Sequence, residues 1–428
     1  MKKLFFLFLL IITQISYGQD AKQKETSMEI YGFVRFESFS DSYKGLNAGN
    51  ELFFIAPLYA GVDVNGNHIN QTPTYNFSSM ASRLGVRVSG PEILKAKTSA
   101  NIEADFAGDL GNNPAMFRVR QANAVLAWKK SSLLVGQTWH PFWGGKVFPT
   151  VAGLNTGSPF QPFNRSPQIR FDYKPSAKLI LSGAMVSEFQ YKSYGFSKIE
   201  TMTIEKADIY NRNAGIPEMI ANIEMNNGGC TLGAGASLKY ILPTLYTTGT
   251  LGKYISDDKV KAVSFVGYAQ YVKKMFTIRA KAVLGQNMTH LNIPGGYGIK
   301  TVDKTTGGMT YTPYNSLTSF INMVYGKKYQ VGFFGGYMKN LGTVDALYNF
   351  GSSTAPSVVT PGLLPNVASI YRVAPHFALN ISKLRFMLEY ELTSAKYGIG
   401  NIDLKDGLYA NGVDATNHRA VLMLMYSF

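Results

Sequence analysis

The chain has 428 residues, of which 13% are aromatic and only 16% charged, with 42 glycines and a formal net charge of +15. Soluble domains carry about 25% charged residues, so the composition argues against an ordinary water-soluble globule, and the single cysteine, Cys230, excludes an internal disulfide framework. The positive balance speaks to anionic solutes and lipid head groups as partners, and not to nucleic acid, because the chain starts with an export-like segment.

That segment is Met1-Lys2-Lys3, an unbroken apolar run from Leu4 to Ile12, and the small residues of Ser16-Tyr-Gly18. A cleaved signal peptide is expected over 1–18, followed by a short periplasmic segment over 19–26. Beyond it no apolar stretch reaches the roughly 18 residues of a spanning helix. Export without such a helix leaves the periplasm, secretion, or a barrel in the outer membrane of a Gram-negative bacterium. A mean hydropathy of −0.04 favours the barrel, whose wall faces lipid on one side and water on the other.

The first amphipathic segment, 27–39, sets Met28, Ile30, Val34 and Phe36 against Glu29, Tyr31, Arg35 and Glu37. After a long insertion come 81–90 and 95–106, then 116–129, 131–139, 167–174, 178–187, 217–226, 230–241 and 259–272. The series ends with 275–285, 316–326, 329–339, 368–381, 384–393 and 418–428. These are about sixteen strands, an even number as in single-chain bacterial barrels. Short turns such as Lys129-Lys130, Lys273-Lys274 and Lys327-Lys328 alternate with long stretches rich in Gly, Pro, Asn and Thr. The alternation predicts an all-β fold: one transmembrane antiparallel β-barrel over 27–428, with short periplasmic turns and long external loops. Solubility and protection against edge pairing account for the turn lysines.

The last segment places Ala420, Leu422, Leu424, Tyr426 and Phe428 on one face. A closing strand must pair with the first, and its terminal aromatics then sit at the membrane interface. Tyr426 and Phe428 are therefore expected to form the assembly signal, with outer-membrane lipids and the barrel-assembly machinery as partners.

Three neighbourhoods look like trimeric outer-membrane porins. Ser82-Arg-Leu-Gly-Val-Arg-Val-Ser-Gly90 resembles an early porin strand, and Arg118-Val-Arg-Gln-Ala-Asn-Ala-Val-Leu126 is similar to the strand found two later. Gly136-Gln-Thr-Trp139 and Arg165-Ser-Pro-Gln-Ile-Arg170 resemble most the segments that bracket the inward-folded third loop in the DcaP-like porin family. The resemblance covers residues 80–175, about a quarter of the chain. It implies a homotrimer, a third loop folded into the lumen over about 140–166, no cofactor, and small carboxylates, dicarboxylates among them, as solutes. The helical amino-terminal extension of many family members has no counterpart in Asp20 to Thr26.

Arg83 and Arg87 alternate with Leu84, Val86 and Val88, and Arg170 alternates with Ile169 and Phe171, which points all three arginines into the lumen. Arg118 and Arg120 share the parity of Ala122, Ala124 and Leu126 and by parity face lipid. The resemblance implies instead that Arg120 faces the pore; a bulge or a subunit contact would reconcile the two. From His140 to Ile169 the loop has no Asp and no Glu but carries Lys146 and Arg165. Arginines without opposing acids predict a positive constriction formed by Arg83, Arg87, Arg118, Arg120, Lys146, Arg165 and Arg170, which concentrates anions. A phosphate- or oligosaccharide-selective channel and a structural or adhesive barrel are the alternatives. Five scattered histidines and the lack of a nucleophile elbow or phosphate loop argue against an enzyme or a metal centre.

Overall fold

Alternating aromatic and β-branched residues favour extended backbone, and here they form sixteen long strands that close into a ring. The computed structural model describes residues 26–48, 52–108 and 116–428; apart from Thr26, the expected signal peptide and periplasmic segment lie outside the described residues. In chain order the ring comprises β1 (Ser27–Asp41), β2 (Arg83–Ile93), β3 (Ala96–Asp105), β4 (Arg118–Ala127), β5 (Ser131–Trp139), β6 (Arg165–Tyr173), β7 (Leu179–Val186) and β8 (Glu218–Asn227). It continues with β9 (Cys230–Ile241), β10 (Val260–Lys273), β11 (Phe276–Gln286), β12 (Met309–Gly326), β13 (Tyr329–Thr343), β14 (Val367–Ile381), β15 (Leu384–Ile402) and β16 (Tyr409–Ser427). Each strand pairs antiparallel with the next, and β16 returns to β1 with Val34 opposite Tyr426 and Asp41 opposite Arg419. Closure leaves no free edge, as lipid demands of a spanning sheet.

The period-two pattern sorts the faces. On β1, Ile30 is 63% exposed on the outer wall, whereas Glu37 is 2% exposed inside. Spanning needs about 9–11 residues per strand, yet β12 has 18 residues and β15 and β16 have 19 each. These strands rise beyond the bilayer. There both faces are wet and alternation fades, as at Asn411, Gly412 and Asp414, so β16 starts at Tyr409 and not at 418.

Two loops fill part of the lumen. The segment after β1 forms a hairpin of Gly45–Ala48 and Phe53–Pro57. Its Ile55 and Pro57 carbonyls accept from Arg372 Nη2 at 3.0 Å and from the Tyr397 hydroxyl at 2.7 Å. With the loop between β5 and β6 it builds an apolar core inside the barrel, where Phe53, Phe160 and Phe163 meet Phe320 and Phe334 of the wall. Gly336 makes this approach possible, since a Cβ there would stand 2.9 Å from Phe160 Cδ1.

The seam between β1 and β16 is equally tight. Phe428 donates its backbone N–H to Gly32 O at 3.1 Å, and a Cβ on Gly32 would stand 2.7 Å from Phe428 Cζ. Gly32→Val and Phe428→Ala are both expected to lower the yield of heat-resistant barrel in the outer membrane, measured by gel mobility with and without boiling. Val344→Ala, on an external loop, is expected to leave it unchanged.

Candidate functional site

The site begins with a local irregularity in β4. Glu103 lies opposite Gln121 and Ala104 opposite Val119, so Arg120 is an extra residue without a cross-strand partner. This β-bulge resets the parity: Arg118 and Arg120 turn inward while Ala122 and Ala124 stay outside. Bulges leave backbone groups unpaired, and Gln137 Nε2 answers by donating to the carbonyls of Val119 and Arg120 at 3.1 and 3.2 Å. The conflict between parity and resemblance over these arginines is resolved by the bulge.

Inward, Arg118 grips Asp105 with two bonds of 2.9 and 2.8 Å. Arg120 bridges Glu103 Oε1 at 2.8 Å and Asp105 Oδ2 at 2.7 Å. Arg83 approaches Glu103 at 3.5 Å, and Arg35 holds Glu37 at 2.6 Å while donating to the carbonyl of Ala152 in the opposite loop. Such ion pairs fix the guanidinium planes, which keeps several cations at close quarters without collapse.

The loop over 140–164 crosses the lumen and is tied to the far wall. Ala152 and Gly153 donate their N–H groups to Glu389 Oε1 at 2.9 and 3.2 Å. Thr150 N–H reaches Asn322 Oδ1 at 2.9 Å, and Arg372 Nη1 reaches Ser158 O at 3.1 Å. Lys281 Nζ donates to the Phe142 carbonyl at 3.3 Å and also to that of Trp143. Trp143 stacks on Trp139 with ring centroids 3.8 Å apart. Between this loop and the near wall remains a cavity of about 350 Å³. Arg35, Arg83, Arg118, Arg120 and Arg385 line it, with Trp143 and Phe148 facing them and no carboxylate among the lining residues.

The seven basic residues singled out from sequence divide accordingly. Arg83, Arg118 and Arg120 line the cavity. Arg87 pairs with Glu29 at 3.2 Å, four residues along β2 and so about 13 Å away from Arg83. Arg170 pairs with its own strand neighbour Asp172 at 3.3 Å, and Lys146 is exposed away from the cavity lining. Arg165 is fully buried, with its guanidinium 4.7 Å from the Trp139 ring, and so is screened from the passage. Arg35 and Arg385 complete the cavity. Strand alternation carried their signal, because Arg35 shares a face with Glu37, and Arg385 with Glu389.

One further cluster anchors the loop. His140 at its root, Glu218 and His290 bring ligating atoms within 4.8 Å of one another, all buried. His140 Nδ1 accepts from Phe142 N–H at 3.2 Å, and His290 Nδ1 accepts from Lys239 Nζ at 2.7 Å. This assigns the hydrogens to both Nε2 atoms, which donate to Glu218 Oε2 at 3.3 and 3.1 Å. A metal would need the opposite tautomers. The cluster is a fastener. Glu218→Leu strands two imidazole donors, each costing about 1–3 kcal/mol, and is expected to increase flicker of the open state in single-channel records.

No family profile and no curated protein sequence matches the chain. Solved structures do. DcaP, an outer membrane channel of Acinetobacter baumannii, superimposes with a TM-score of 0.65 at 16% identity, over 96% of this chain and 99% of that one. OmpT, an outer membrane protein of Vibrio cholerae, gives 0.53 at 10% identity over 96% and 100%. An anion-selective porin from Comamonas acidovorans gives 0.52 at 10% over 94% and 100%. The chain thus has the fold of the outer-membrane porins, a fold it shares with DcaP.

Proposed function

We propose that the chain forms a passive outer-membrane channel for small hydrophilic solutes that prefers anions, small dicarboxylates among them. The cavity carries this reading: five arginines and no acid line it. Glu37, Glu103 and Asp105 stand behind and Glu389 shares the face of Arg385, four carboxylates against five guanidinium groups, so positive charge is in excess toward the passage. Low-dielectric walls focus that potential and raise the local concentration of anions. Among fold relatives, one is described as anion-selective. Lys281, a basic residue that a phosphate ladder would use, is buried and engaged with loop carbonyls.

A homotrimer is part of the same reading. Ala122 and Ala124 are small and exposed on the outer wall, which allows close approach of subunits, and closed cyclic symmetry is the usual outcome. Native mass spectrometry of the detergent-extracted barrel is expected to return three times the chain mass; a monomer would contradict the assembly.

Liposome swelling tests the transport reading. At low salt a small dicarboxylate is expected to enter faster than a diamine of equal size, with the difference shrinking as salt screens the arginines. Equal rates, or no swelling at all, would count against it; the latter result would favour a structural barrel.

A further inference from the structure

The short-turn rim of the barrel carries a charge pattern that the pore does not use. Six of its seven turns bear lysine: Lys95; Lys129 and Lys130; Lys174 and Lys178; Lys273 and Lys274; Lys327 and Lys328; and Lys383. All are exposed, and none forms an ion pair with a described residue. At the opposite end lysines are mixed with acids and paired, as in Lys192 with Asp208, Lys253 with Glu200 and Lys300 with Asp345. Among the described residues the acids next to these turns are Glu92 and the lumen-facing Asp172, and neither pairs with a turn lysine.

Turn chemistry does not explain the lysines. Lys95 and Lys274 hold φ of 61° and 54°, where Asn, Asp or Gly is the favoured residue. The remaining turn, Asn227-Gly228-Gly229-Cys230, uses that chemistry, with Gly228 and Gly229 at positive φ. Asp or Asn at the other turns would supply both solubility and geometry. Edge protection fails as well, because the ring is closed and has no edge.

Just inside the lysines runs an aromatic belt. Tyr173, Tyr271, Phe276, Tyr325 and Tyr329 are 36–61% exposed on the outer wall, and Trp128 donates its Nε1 to Leu94 O at 2.9 Å beside Lys95. Interfacial aromatics mark head-group depth, so the lysines stand at the level of lipid phosphates, within a Debye length of about 8 Å. We propose that this rim is a docking ring for anionic phospholipids of the periplasmic leaflet, which recruits phosphatidylglycerol-type head groups around the barrel. It rests on the membrane placement of the fold, and not on the selectivity of the pore.

Trp128 is a built-in reporter, since Trp143 is 6% exposed and Trp139 stacks on it inside the lumen. The full chain is reconstituted in phosphatidylethanolamine vesicles containing equal fractions of brominated phosphatidylglycerol or brominated phosphatidylethanolamine. Severalfold stronger association of the anionic lipid, read by tryptophan quenching, is expected in low salt and is expected to collapse in molar salt. The K95Q/K129Q/K130Q variant should lose the preference, the corresponding Lys→Arg variant should keep it, and the reversal potential of both should match the parent. Equal quenching by the two lipids in the parent, or a preference that survives the glutamine changes or molar salt, would overturn the proposal. Equal quenching together with co-sedimentation on purified peptidoglycan would overturn it in favour of the cell wall as partner.

Discussion

Arg385→Glu is expected to abolish or reverse the preference of the channel for anions at low salt. Arg385 lines the cavity, its Nε has no hydrogen-bond partner, and its Nη2 donates to the Met387 sulfur at 3.8 Å. It is therefore the cavity arginine least engaged by the wall. One unit charge about 6 Å from the ion path, at an effective dielectric of about 40, is worth about 1.4 kcal/mol, or tenfold in relative permeability. Reversal changes the charge by two units, so the expected change in the chloride-to-potassium permeability ratio is at least about tenfold. Arg87→Glu, on the same face of the wall but paired with Glu29 away from the cavity, is expected to change the ratio much less. Bilayer recordings of the two variants side by side decide the matter; equal shifts would remove the cavity arginines from their assigned role.

The second large effect concerns stability. Arg120 is 3% exposed and is the shared partner of Glu103 and Asp105, which are 4% and 0% exposed. Arg120→Met removes the shared cation and leaves Glu103 and Asp105 with only Arg83 and Arg118 as partners, a loss of up to about 3–5 kcal/mol, the value for a fully broken buried pair. The double change Arg120→Met, Glu103→Gln leaves Asp105 held by Arg118 and removes the carboxylate whose remaining partner, Arg83 at 3.5 Å, is the more distant, so it is expected to recover part of that loss. Urea midpoints of the refolded barrel in detergent micelles measure both. A double variant no better than the single one would mean that the network acts through packing and not through charge.

Much of the architecture was legible because lipid imposes a strict period of two. All sixteen expected segments overlap the observed barrel strands, from 27–39 on β1 to 418–428 on β16. The same rule ceased to inform above the bilayer, where β15 runs on to Ile402 through a region wet on both faces. The bulge at Arg120 left a trace, namely two arginines sharing parity with Ala122 and Ala124, a combination that is costly on a lipid-facing strand. The hairpin inside the lumen left one too: Leu52-Phe-Phe-Ile-Ala-Pro57 is an apolar run in a segment that an external loop would keep polar. The burial of Arg165 behind Trp139 had no such trace, since it depends on how the loop over 140–164 folds back on the wall. Arg87 and Arg170 face the lumen as alternation implies, but height along the pore is not written in parity, and both stand apart from the cavity.

The central claim is that the cavity between the loop and the arginine wall favours anions. The reversal potential of the purified wild-type channel in a planar bilayer, with potassium chloride more dilute on one side than on the other, addresses it directly. At low mean salt the account predicts a potential of the sign set by chloride, which falls toward zero as salt is raised and screening shortens to about 3 Å near 1 M. A potential of the sign set by potassium at low salt would contradict the account, whatever the barrel itself proves to carry.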